Sequence, residues 1–105
     1  MKLGVFTPLF NQLSFEEMID AVAKKGLQTV EIGTGGYPGN AHLDIESLLA
    51  SSAARKEYLA KLADKGLEIS ALSCHNNPIS PIASVAQEAD ELLRKTIKLA
   101  SLMNV

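Results

Sequence analysis

The chain has 105 residues, 47% of them hydrophobic, with 10 Lys+Arg against 12 Asp+Glu and a formal charge of −2. That composition excludes a disordered or low-complexity chain and fits one soluble globular domain, or part of one. The near-neutral balance argues against a nucleic-acid binder, which needs Lys and Arg in excess on one face, and no run reaches the roughly 18 to 20 apolar residues that span a bilayer.

Met1 to Phe6 holds one basic residue and too short an apolar stretch for a signal peptide. The chain is therefore expected to be cytoplasmic. The apolar run Leu3 to Phe6 stops at Thr7-Pro8 and reads as a buried strand, with Pro8 to Leu13 as its loop. Ser14-Phe15-Glu16-Glu17 has the form of a capping box. Met18, Ile19, Val22 and Ala23 then recur at helical spacing, and Gly26 ends the helix. Thr29 to Ile32 predicts a second strand. Gly33 to Asn40, with four glycines and a proline, is expected to be a long loop. Asp44 can cap a short helix over Ile45 to Ala50, and Ser51 or Ser52 a longer one to Lys65, stopped by Gly66. Ile69 to Leu72 predicts a third strand, with a loop from Ser73. Ser84 to Met103 reads as an amphipathic helix with Val85, Leu92, Leu93, Ile97, Leu99 and Ala100 as its apolar positions.

Ala23-Lys24-Lys25-Gly26-Leu27 is matched by Ala63-Asp64-Lys65-Gly66-Leu67, each followed at once by a strand. Non-alternating apolar strands interleaved with helices predict an α/β fold with a parallel sheet, in the order βαβαβα. Three such units fall short of the five or six strands of a doubly wound domain and of the eight of a closed barrel. The expectation is thus a partial domain over residues 1–105 that stops before a fourth strand, with Val105 as that strand's first residue. A compact module that closes by dimerising is the alternative. Leaving about 400 Å² of apolar side chain on the uncovered inner face would cost about 10 kcal/mol, at roughly 25 cal/mol per Å². A homo-oligomer through the exposed sheet, paired at the first or third strand, is therefore expected.

Leu3-Gly4-Val5-Phe6 with Ser14-Phe15-Glu16-Glu17, Lys25-Gly26-Leu27, Val30-Glu31-Ile32-Gly33 and Ser73-Cys74-His75-Asn76-Asn77-Pro78 together resemble the N-terminal part of the xylose isomerase-like TIM-barrel superfamily. Within it, the group most similar is that of the sugar phosphate isomerases/epimerases. The resemblance covers the first three of eight βα units. It implies an enzyme that moves a proton between adjacent carbons of a ketose or aldose, acting on a small-molecule sugar. It also implies a divalent metal (Mn, Mg, Co or Zn) in the full-length family, held by two Glu, an Asp and a His from later strands, so that this segment alone binds none and is inactive. The superfamily is similar in fold to apurinic endonucleases, and fold alone does not choose a chemistry.

In such a barrel the chemistry sits at the C-terminal ends of the strands. The loops there, Thr7 to Leu13, Gly33 to Leu43 and Ser73 to Ala83, hold both histidines of the chain, His42 and His75. His75 follows the third strand and is a candidate for binding a substrate hydroxyl, shuttling a proton or, as the weak candidate here, ligating a metal; otherwise it bonds nearby backbone. Asn76 can assist it. His42 is a second substrate-site candidate or a loop-packing residue. Glu31, a carboxylate inside a strand, needs a polar partner or a polar mouth, and could bind sugar hydroxyls or orient a histidine. Phe6 and Phe10 are candidates for pocket wall, Phe10 by stacking on a sugar face. Cys74, the lone cysteine, reads as a small buried residue. Gly33-Thr34-Gly35-Gly36 is not a dinucleotide fingerprint, because Pro38 takes its sixth position and no helix opens there. None of the ten Lys and Arg falls in the mouth loops. That favours a neutral polyol and disfavours the endonuclease chemistry.

Overall fold

A computed structural model describes residues 1–105. Strands β1 (Gly4–Phe6), β2 (Thr29–Gly36) and β3 (Glu68–His75) form one parallel sheet in the order β1-β2-β3. Between them run α1 (Phe15–Lys24), α2 (Ile45–Ala50) and α3 (Ser52–Asp64), and α4 (Ala83–Met103) follows β3. The α/β class and the βαβαβα order anticipated from the apolar runs are what the chain adopts.

Local chemistry sets the helix starts. Ser14 accepts from the Glu17 amide at 3.2 Å while the Glu17 carboxylate accepts from the Ser14 amide at 2.8 Å, a complete capping box. Asp44 and Ser51 cap α2 and α3 in the same way. At the end of α3, Gly66 at φ +71° lets the Leu67 amide donate back to the Leu62 carbonyl. Asn104, at φ +58°, ends α4 likewise, and the Val105 amide donates to the Ala100 carbonyl. Val105 therefore belongs to a helix cap, where the sequence had suggested the start of a strand.

One face of the sheet is covered. Val30 and Ile32 of β2 point into a core shared with Met18, Ile19 and Val22 of α1, Leu62 of α3, and Leu99 and Met103 of α4. On α4 the buried positions are Ala89, Thr96, Leu99 and Met103, with Leu92 packed beside them. Val85, Leu93 and Ile97, counted among its apolar face, stand 42%, 37% and 61% exposed. The apolar arc of α4 is wider than three strands can cover, so one stripe meets the sheet and the next faces outward.

Both later strands run further than their apolar residues do. β2 continues through Gly33 to Gly36, and β3 through Ser73 to His75, because each supplies the other's ladder: Gly33 pairs with Ser73, Gly35 with Cys74 and Gly36 with His75. The segment expected to be loop from Gly33 is thus strand for four residues. Thr7–Phe10 is likewise a 3-10 turn, with Pro8 near its start, and not irregular loop.

Candidate functional site

The uncovered face of the sheet carries the alternate residues. Phe6 of β1, Glu31 of β2 and Ala71 of β3 occupy one register row, and Gly33 and Ser73 the next. A carboxylate on a strand must be solvated or bonded. Glu31 is half-buried, and the buried Ser73 hydroxyl donates to its carboxylate. Ser73 is held from the other side as well: Thr34 Oγ1 lies 3.1 Å from the Ser73 carbonyl and 2.8 Å from Thr96 Oγ1, which lies 2.9 Å from the Leu92 carbonyl. Two hydroxyl protons serve these three contacts, so the pair can point either toward Ser73 or toward α4.

Gly33 is the gap in this face. A side chain there would start 2.8 Å from Pro38 Cβ and 2.8 Å from the Gly39 carbonyl, so the chain after β2 folds back directly over it. Gly36, at φ +71°, makes that turn, and Tyr37 then donates its amide to the His75 carbonyl at 3.1 Å. With no side chain between them, Phe6 and His75 approach across β2 edge to face, their centroids 6.3 Å apart at 72°. Phe6, Pro8, Tyr37, Pro38 and His75 line an open cleft of about 360 Å³ at the C-terminal ends of the strands. His75 also lines, with Glu31 and Ser73, a groove of about 390 Å³ along the outer edge of β3.

The structure therefore brings Glu31 and His75 to one region and adds Ser73, which sequence reasoning had left inside a loop. The available signal was spacing: Ser73 lies two residues before His75 and so shares its face if the strand extends that far. Asn76 lies apart from the Phe6–His75 cleft. Its amide reaches Cys74 Sγ at 3.7 Å, and it lines a separate hollow with Tyr37, Asn77 and the first turns of α4.

His42 and Phe10 lie elsewhere. His42 is buried, its Nε2 3.1 Å from the Phe10 carbonyl and 3.0 Å from the Leu13 carbonyl. Two carbonyls can only accept, so Nε2 carries the proton and donates to both. The His42 carbonyl in turn accepts from Tyr58 Oη at 2.8 Å, and the Tyr58 ring stacks on Phe15 at 4.4 Å. His42 thus pins the turn after β1 to the body of the protein. The Phe10 side chain packs against the core.

A metal centre needs three or more protein ligands in fixed geometry. No three His, Cys, Asp or Glu side chains converge here, and the Glu31 carboxylate is engaged by Ser73. These residues alone do not make the metal site that the resemblance implies for the whole barrel. No helix is long and apolar enough to cross a membrane.

No protein-family model matches the chain. All 105 residues align at 36% identity with the uncharacterized protein YfiH of Bacillus subtilis (strain 168), covering 33% of that protein. The chain thus spans about a third of the length of this curated relative.

Proposed function

We propose that the open sheet face is part of a binding site for a neutral polyol, in an enzyme that moves a proton between adjacent sugar carbons. The observation that carries this reading is the placement of a hydroxyl-supported carboxylate, Glu31, and an imidazole, His75, beside an aromatic wall, Phe6, with no Lys or Arg lining the cleft. A carboxylate accepts hydrogen bonds from sugar hydroxyls, and an imidazole can take up or give a proton near neutral pH. The ring of Phe6 and the prolines offer apolar surface to the C–H face of a sugar. The absence of cations removes the usual means of gripping a phosphate, so a phosphorylated substrate would need its anion held by residues outside these 105.

On this reading the chain binds without turning over, since one imidazole and one carboxylate do not complete a proton relay. The test is NMR titration of the ¹³C-labelled His75 and Phe6 rings with an unphosphorylated ketose or aldose, read beside isomerase turnover with added Mn²⁺. Saturable ring shifts that Glu31→Gln abolishes, without turnover, are expected. Millimolar sugar leaving both rings unmoved would refute the site, and robust turnover by this chain would refute the division of labour.

A further inference from the structure

We propose that the free edge of β3, with the Leu93–Ile97 stripe of α4 beside it, docks a strand–helix segment of a second, longer polypeptide whose strand pairs parallel to β3. The two edges of the sheet differ. β1 offers only three residues and runs directly into the 3-10 turn at Thr7-Pro8. β3 offers eight, and from Ile69 to Cys74 it has no proline and no charged side chain, the devices that ordinarily blunt an exposed edge. Alongside it lies the groove of about 390 Å³, walled by Leu93, Ile97 and Ala100 of α4. Unpaired backbone along β3 calls for a strand, and the exposed Leu93 and Ile97 call for a helix on the same side of the sheet. An antiparallel hairpin strand would satisfy the edge and leave the stripe bare. A parallel strand brings its own helix onto that face, and one such unit fills both.

The occupant is chosen on length. The relative that this chain matches is about three times as long, because 105 residues cover 33% of it. Its other two thirds are a polypeptide of the size needed to supply strand–helix units. A second copy of this chain, related by a two-fold axis, would lay β3 antiparallel to itself and leave the face bearing Phe6 and Ala71 open in both copies. A partner twice the size can reach that face too. Its strand would run beside Ser73 and His75, so the docking adds side chains to the cleft, but it rests on the edge and the stripe and not on sugar binding.

The test mixes this chain with the separately expressed two thirds of the Bacillus relative that lie outside the match. Sedimentation at micromolar concentration is expected to give a 1:1 complex in which the outward-pointing amides of Ala71 to Cys74 exchange hydrogen at least about tenfold more slowly. Leu93→Asp and Ile97→Asp, both at exposed positions, are expected to leave the circular dichroism unchanged and to weaken the complex about tenfold or more. The proposal is overturned if no complex forms, if the edge amides stay unprotected, if both variants bind as well as the parent, or if the chain pairs with itself along β3 and excludes the partner. A complex that forms while Glu31→Gln leaves it intact separates this outcome from the fate of the sugar reading.

Discussion

Gly33→Ala isolates the seating of the chain on the open face. Gly33 is buried and does not have positive φ, so an alanine backbone is accommodated without conformational strain. The whole native-state cost is therefore steric. The new methyl would stand 2.8 Å from Pro38 Cβ and 2.8 Å from the Gly39 carbonyl, and one of those is backbone with little freedom to yield. Overpacking of this kind costs about 1–3 kcal/mol. Alanine also restricts the unfolded chain, which returns about 0.4–1 kcal/mol. With a backbone atom as obstacle the upper part of the range applies, and a net loss of about 2 kcal/mol is expected.

Gly26→Ala is the matching control. It has φ +73° and nothing within 4 Å of the added carbon, so it carries strain without a clash, about 1 kcal/mol. Urea titrations followed by circular dichroism read both, with equal slopes expected and the Gly33 variant lower in midpoint. The His75 ring resonances should move in Gly33→Ala and stay put in Gly26→Ala, because only the first displaces the Pro38 wall. A Gly33→Ala protein as stable as the parent, with unmoved His75, would refute the argument that the turn after β2 rests on this glycine.

Removing the His42 imidazole by His42→Ala frees the Phe10 and Leu13 carbonyls and leaves a void, with a loss of about 2–3 kcal/mol in urea and faster hydrogen exchange over residues 8–13; an unchanged midpoint would count against the staple. The carboxyls of Glu16, beside Lys61, of Asp20, beside Lys65, and of Asp44, bonded by the Ser47 hydroxyl, are held below their ordinary values of 4.5, 3.8 and 3.8. A depressed folded value means stability that is present above that range and lost as pH falls through it, so urea midpoints should drop from about pH 5 downward. In 1 M NaCl the Glu16 and Asp20 contributions should shrink and the Asp44 cap persist. Burial pushes the Tyr58 phenol up, so its neutral form favours the folded state and stability is lost as pH rises above about 10. In a Tyr37→Phe background its tyrosinate absorbance should appear together with loss of helical circular dichroism; ionisation of the intact fold would contradict the burial.

What could be read from the sequence was local. The Ser14, Asp44 and Ser51 caps and the Gly26 and Gly66 stops depend on contacts within five residues, and each helix begins and ends within a residue or so of where those signals put it. The strand ends were not legible, because Gly33–Gly36 has weak strand propensity and becomes strand only by pairing with Ser73–His75, some 40 positions away. Glu31 was identifiable because a carboxylate amid Val30 and Ile32 must face away from the core. His42 occupies a mouth loop in sequence, but the path of that loop turns its ring under the first turn and away from the cleft. On α4, nothing within the helix says which of two adjacent apolar stripes the sheet will take.

The partnership of Glu31 with Ser73 illustrates why. Val30 pairs with Ile69, but Glu31 pairs with Ala71, so β3 carries one extra residue, Ser70, between them. Without that residue Glu31 would stand opposite Ser70 and Ile32 opposite Ala71, with Gly33 opposite Leu72. Because side chains alternate with a period of two, the slip would turn Leu72 onto the open face and Ser73 toward the helices. The bulge instead sets Leu72 beside Ile32 against the core and Ser73 diagonal to Glu31. A second irregularity, between Gly33 and Gly35, leaves Thr34 as the extra residue of β2, with its hydroxyl directed at the Ser73 carbonyl. Two one-residue offsets in opposite strands thus cancel over the length of the sheet. Between them they place a hydroxyl on a carboxylate that would otherwise be exposed alone, and bring β2 and β3 back into step at Gly35 and Cys74, one residue short of His75.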